Sequence, residues 1–255
     1  MLMSSGGLVP PDEDYSREEF LICVLARLIE GVRHVAVGAA SPIPGAAALL
    51  VQDLSPQRMH VTVLASRRYN SFTDGGRELF DCAGQGRVDA FFLGGVQIDG
   101  QANINLVGVG EYPRLKARLP GSFGSAFMYF TVPRVILFRE EHSRRVLVPK
   151  VDFISAPGTS PPNVYRPGGP HALVTNMALF GFDRQRGRFR LDSAHPGHTV
   201  EEIRDNTGFA FNLPDAVPVA PAPEPDRLAH IRGHVAGRLG EFYPEFAARV
   251  FPATA

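Results

Sequence analysis

The stretch Phe91-Phe-Leu-Gly-Gly-Val-Gln-Ile-Asp-Gly-Gln-Ala-Asn-Ile-Asn105 changes character within five residues: an apolar run meets two glycines and then a series of amides and carboxylates. The run, read as a strand over Val88–Leu93, is apolar on successive positions, as expected where both faces of a parallel sheet are covered. His60-Val-Thr-Val-Leu-Ala65 and Arg134–Arg139 read similarly. Ligands of open α/β sheets sit beyond such strand ends. Gly94 and Gly95 allow a ligand close to the backbone, and Gln97, Asp99, Asn103 and Asn105 offer directional hydrogen bonds to a polar group. A tight structural turn is the alternative reading of the same residues.

Working outward, Ser16–Gly31 places Phe20, Val24, Ala26, Leu28 and Ile29 near helical spacing, behind a serine followed three residues later by glutamate. That predicts a capped amphipathic helix ended by Gly31. His34-Val-Ala-Val-Gly38 is a short strand, followed by a turn over Ala39–Gly45 and a helix over Ala46–Gln52. Strands alternating with helices imply right-handed crossovers, so the fold class is α/β, with a mainly parallel sheet flanked by helices.

After Val151 the pattern shortens. Asn163–Arg166, His171–Thr175, Met177–Phe182 and Arg188–Leu191 read as strands of an edge meander. Thr199-Val-Glu-Glu202 starts a short helix through Asn206, residues 214–225 form a proline-rich arm, and 226–251 predict one docking helix. The 255 residues fit a single domain, residues 1–15 being a flexible N-terminus.

Composition excludes several classes. Lysine plus arginine equals aspartate plus glutamate at 26 each, so no net positive field gathers nucleic acid or an anionic membrane. No apolar run reaches the roughly 18 residues a bilayer span requires, and no leader pattern opens the chain, which leads to a cytoplasmic expectation. Cys23 and Cys82 lack the spacing of a redox pair or zinc knuckle and read as buried free thiols. His195 and His198 are separated by Pro196-Gly197, so no helix aligns them as ligands, and His34, His60, His142 and His171 are scattered. No metal and no bound cofactor is expected. A nucleophile elbow and a dinucleotide glycine fingerprint are both missing.

With Gly121-Ser-Phe-Gly-Ser-Ala126, Val151-Asp-Phe-Ile-Ser-Ala-Pro-Gly158 and His195-Pro-Gly-His-Thr-Val-Glu-Glu-Ile203 following in order, the opening stretch resembles the beta subunit of family I coenzyme A transferases over roughly residues 16–213. The resemblance implies a three-layer coenzyme A transferase-type fold and an acyl-coenzyme A thioester as substrate. It also implies an alpha-type partner chain, in a heterodimer or heterotetramer, with the active site between the two. In that family a glutamate in a Ser-Glu-Asn-Gly-like motif takes up the acyl group. The matching positions here are Ser66-Arg67-Arg68-Tyr69-Asn70, with arginine in place of glutamate.

That departure is similar to a steroid-degradation branch, a coenzyme A-dependent hydrolase that opens a carbocyclic ring and whose glutamate comes from the alpha chain. By that resemblance Gly124 and Ser125 supply oxyanion donors, and Tyr69, Asn70 and Phe72 shape the acyl pocket. Arg67 or Arg68 can pair with an anionic group as a bidentate fork, solvated loop arginines being the plain alternative. Tyr69, Phe72, Phe123, Phe127 and Tyr129 together suggest a bulky apolar substrate, or core packing. Two further readings stand beside this one: a true transferase recruiting Glu78 or Glu111, and a non-catalytic stabilising subunit.

Overall fold

The computed structural model describes residues 14–55 and 59–252. The expected flexible segment 1–15 lies outside these except for its last two residues, of which Tyr15 stacks on Phe20 with ring centroids 6.1 Å apart. Helix α1 (Arg17–Ile29) opens on a complete capping box, Ser16 Oγ accepting from the Glu19 N–H and Glu19 accepting from the Ser16 N–H. Then come β1 (His34–Val37), α2 (Pro42–Leu54), β2 (His60–Val63), α3 (Gly76–Gly84) and β3 (Ala90–Leu93). Helix α2 starts four residues before the predicted position, because Pro42 fits the first helical turn, where its missing N–H costs nothing.

Two short ribbons follow, β4 (Gln97–Ile98) with β5 (Ile104–Asn105) and β6 (Gly108–Val109) with β7 (Ala117–Arg118). The chain continues through α4 (Ser125–Thr131), β8 (Arg134–Phe138), β9 (Pro170–Val174), β10 (Ala178–Asp183), β11 (Arg188–Ala194) and α5 (Val200–Asn206). The expected strand at Asn163–Arg166 is instead a turn closed by the Val164 N–H on the Pro161 carbonyl, and Tyr165 stands exposed. Its flanking prolines remove the donors a ladder needs.

One seven-stranded sheet has the order β11-β10-β9-β8-β3-β1-β2, parallel from β2 to β9 and antiparallel at the β9-β10-β11 edge. Successive residues feed opposite faces. Val35, Val37, Phe92 and Ile136 join a core with α1 and α2, whereas Ala36, Phe91, Val135 and Leu137 join a second core with α3 and α4. That alternation makes three layers and explains the unbroken apolar runs, since neither face meets water. Among the described residues no helix is long and apolar enough to cross a membrane. Cys23 is buried as expected, but Cys82 is only partly so.

The proline-rich arm runs along β11. Ala194 donates to the Pro218 carbonyl and accepts from the Ala220 N–H, capping the sheet edge. The predicted single C-terminal helix is broken: α6 (Pro225–His230), a π turn (Ile231–Val235) and α7 (Ala236–Leu239) run on continuously, but Gly240 stops them and Pro244 opens α8 (Pro244–Val250). Arg232 and Arg249 pair with Glu19 and Glu18 of α1. Burial raises both carboxyl pKa values, but the arginine hydrogen bonds, backbone N–H groups and arginine charges together outweigh it and hold them below the usual range.

Two buried histidines staple the antiparallel corner. His142 lies within hydrogen-bond distance of Thr175 and Thr207, at 2.8 and 2.9 Å, and the His195 ring sits edge-on against Phe20. Burial pushes both imidazoles down to about 4. Between the unperturbed value near 6.5 and about 4 the unfolded chain therefore binds protons that the folded chain refuses, and stability falls as pH is lowered through that window. Urea unfolding should lose about 3 kcal/mol per histidine from pH 7 to pH 4. A His142→Asn variant should show a flatter profile, and an unchanged slope would contradict this assignment.

Candidate active site

The strand order reverses at β1, because β2 lies on one side of it and β3 on the other. At such switch points the loops leaving the strands part and leave a crevice. Here a cleft of about 1170 Å³ opens beyond the C-terminal ends of β1, β3 and β8. The turn Gly38–Pro44, the pair Gly94-Gly95 and the segment Arg139–Ser143 line it, with Gly121 and Phe123 forming part of the wall. A side chain at Gly94 would press on the Phe138 carbonyl and one at Gly95 on the Gln97 carbonyl. These two glycines thus serve the close packing of the cleft floor as well as access.

The polar residues that follow turn inward, which corrects the reading of Gln97 as a substrate contact. Its Oε1 accepts from Asn105 Nδ2 at 2.7 Å and from the Asp152 N–H at 3.0 Å, while Nε2 donates to Asp152. The Asp99 carboxylate accepts from the N–H groups of Gln101 and Asn103 and from Asn103 Nδ2. Asn103 Oδ1 accepts from the Gly158 N–H. All four side chains are buried and engaged, so they fix the loop and present nothing to a ligand.

Residues 66–72 form the loop leaving β2 and do not line this cleft. Ser66 Oγ accepts from the N–H groups of Arg68 and Tyr69 and donates to Glu241, whose Oε1 also accepts the Arg68 N–H. Tyr69 faces the C-terminal helices, its hydroxyl taking a hydrogen bond from Arg238 at 2.6 Å and its ring meeting Phe242. Asn70 is spent on the loop itself, donating to the Leu64 carbonyl and accepting from the Phe72 N–H. Phe72 packs on the core shared by α3 and α4. Arg67 and Arg68 are exposed.

Glu78 is likewise occupied. It accepts from the Thr73 hydroxyl and from the N–H groups of Thr73 and Asp74, which hold its carboxyl low. The aromatic set divides: Tyr129 is core, donating to the Ala102 carbonyl, whereas Phe127 is half-exposed and Phe123 is 87% exposed at a φ of 44°. A left-handed backbone at a bulky residue is held only where its surroundings enforce it, and such strain concentrates at functional loops.

Directly after Phe123, the Ser125 N–H is taken by the Ser122 carbonyl, so it is not available as the expected backbone donor. Two other donors remain. The Gly124 N–H has no acceptor among the described residues, and the Ser125 hydroxyl is buried without a partner. A buried hydroxyl left unpaired costs about 1–3 kcal/mol, which an incoming acceptor recovers. Sequence reasoning missed two contributors to this region. Tyr243 brackets the Gly38–Ser41 turn, donating to the Gly38 carbonyl and accepting from the Ser41 N–H, and Phe80 packs under Gly124. Neither carried a local signal, since both contacts join segments distant in sequence.

The profile of the family described as Coenzyme A transferase matches residues 35–206, and the chain belongs to that family. It is 33% identical over 153 residues to one of the subunits of 3-oxoadipate CoA-transferase from Pseudomonas knackmussii, covering 58% of each chain. It is 32% identical over 137 residues to the IpdB subunit of a cholesterol ring-cleaving hydrolase from Rhodococcus jostii, covering 52% of this chain and 53% of that one. It thus spans little more than half the length of these curated relatives. The crystal structure of glutaconate coenzyme A-transferase from Acidaminococcus fermentans shares the fold, with a TM-score of 0.77 at 22% identity over 95% of this chain and 99% of that one.

An added Cβ at Gly124 would overlap the Phe80 ring. Gly124→Ala should therefore lower stability by about 1–3 kcal/mol in thermal or urea unfolding. A second change, Phe80→Ala, should recover part of that loss, giving the non-additivity expected of touching residues. Strict additivity would mean the two do not pack together.

Proposed function

We propose that this chain is the beta-type subunit of a heteromeric enzyme acting on an acyl-coenzyme A thioester, in which the catalytic glutamate belongs to the alpha-type partner. The reaction is hydrolytic or carbon–carbon bond-cleaving rather than coenzyme A exchange. Arg67 carries this reading. Where the family's transferases hold a carboxylate that takes up the acyl group, this chain has a guanidinium, which stays protonated and cannot form an anhydride or glutamyl thioester. The nearby carboxylates do not make up the loss, because Glu78 caps its own loop and Glu241 is tied to Ser66 and Arg68.

What remains for this chain is to polarise a carbonyl. The Gly124 N–H and the buried Ser125 hydroxyl are unpaired donors on the residues that follow Phe123 of the cleft wall. Neither lines the cleft itself, and an opening at Phe123 would bring them to the oxygen of a thioester or enolate as charge develops on it. The glycine-floored cleft holds part of the thioester, and exposed Phe123 in its wall gives one side of the acyl pocket an apolar surface. Arg67 and Arg68 remain free to pair with an anionic group of the substrate or of the partner chain. A second reading, a true transferase, draws on the identity to the 3-oxoadipate CoA-transferase chain.

The test is mass spectrometry of the purified two-chain complex after incubation with acyl-coenzyme A and borohydride or hydroxylamine. The hydrolase reading expects turnover with no modified glutamate on this chain. A modified glutamate here would restore the transferase. In the same complex Ser125→Ala should reduce kcat by about tenfold or more with little change in KM, as loss of an oxyanion donor does. Unchanged kcat in that variant would remove Ser125 from the catalytic step.

A further inference from the structure

Away from the cleft, on the outer face of the helical layer, three metal-competent side chains converge. His230 and His234 come from the C-terminal helix and Asp53 from the last turn of α2. Their ligand atoms all lie within 4.8 Å of one another. Asp53 Oδ2 is 3.0 Å from His230 Nε2 and 3.9 Å from His234 Nδ1. A tetrahedral cation with ligands at about 2.0–2.2 Å separates neighbouring donors by about 3.3 Å, so the two measured edges bracket the required one.

We propose that Asp53, His230 and His234 form a binding site for one divalent first-row transition cation of the zinc, nickel or copper class. Two imidazoles and one carboxylate are a nitrogen-rich set, which favours those ions over calcium or magnesium with their all-oxygen preference. The helix presents the histidines four residues apart across the π turn, with nearly parallel rings 5.2 Å between centroids, so both nitrogens reach the same side. π turns of this kind recur at functional sites.

Asp53 is pre-positioned, because Arg238 binds its Oδ1 and also donates to Gln52 and Tyr69, leaving Oδ2 directed at the histidines. A hydrogen-bonded carboxylate of this kind orients a ligand in the way outer-shell groups do at metal centres. The side chains of Asp53 and His230 are 18% and 25% exposed, and that of His234 is 74% exposed. Only the last must move, and it does so in water. The bound cation clamps the C-terminal helix to the end of α2 and leaves one coordination position to solvent.

This inference is independent of the proposed reaction and is tested without it. The full chain, stripped with a chelator and freed of it, is titrated with Zn²⁺ against a chromophoric chelator, and in parallel with Co²⁺ to follow its visible absorption. One site per chain is expected, along with a higher Tm in the presence of Zn²⁺. His234→Ala and His230→Ala should each weaken binding by more than about tenfold and abolish the Tm rise while leaving the metal-free Tm near that of the parent chain. Because His234 is exposed, its variant keeps the test decisive even if His230→Ala unfolds. Absence of a stoichiometric site, or equal affinity in His234→Ala, would overturn the proposal.

Discussion

The saturated polar lattice under the cleft floor is the constraint on which the rest of the site depends. Asp99, Asn103, Asn105 and Gln97 bond to one another, to Asp152 and to backbone N–H groups from residues 101–158. In a low-dielectric interior each such bond is strong and each missing one is expensive. A loop without regular structure can therefore hold a fixed shape beyond β3. Removing any one amide would strand its neighbours, which is why the segment tolerates two glycines in succession without losing definition.

Around that fixed floor the chain deploys its charges for cohesion. The arginines of the C-terminal helix and α8 reach α1 through Glu19 and Glu18, and Arg238 joins Asp53, Gln52 and Tyr69 at the far end of α2. These pairs join guanidinium groups to largely buried carboxylates, which need them as partners. Their effect here is geometric, because they set the helix where Tyr243 can bracket the Gly38–Ser41 turn of the cleft and where Glu241 can hold the loop after β2. The terminal segment thus supports two loops next to the strand ends.

The loop after β2 is held without help from the side chain at its tip. Ser66 organises the turn through its hydroxyl, and Asn70 closes it. The group at the tip is the exposed guanidinium of Arg67. A loop held by backbone, hydroxyl and amide bonds leaves that position open to exchange, since none of these bonds involves the Arg67 side chain.

Much of this was legible in the residues themselves. The buried strands announced themselves by consecutive apolar positions, α1 by its capping box, and the family by four motifs in order, because these signals are local and periodic. The destination of side chains was not legible. Gln97 and Asp99 look the same in sequence whether they meet a ligand or each other, and only the return of Asp152 and Gly158 to the same place decided it. The break at Gly240, the start of α2 at Pro42 and the turn at Asn163–Arg166 were written in prolines and glycines that hydrophobic spacing overrode. The four-residue spacing of His230 and His234 stood in the sequence, but it acquires meaning only beside Asp53, 177 residues away from His230. Periodicity fixes which face of an element is buried. What that face meets depends on tertiary packing, because contacts between distant segments leave no local mark.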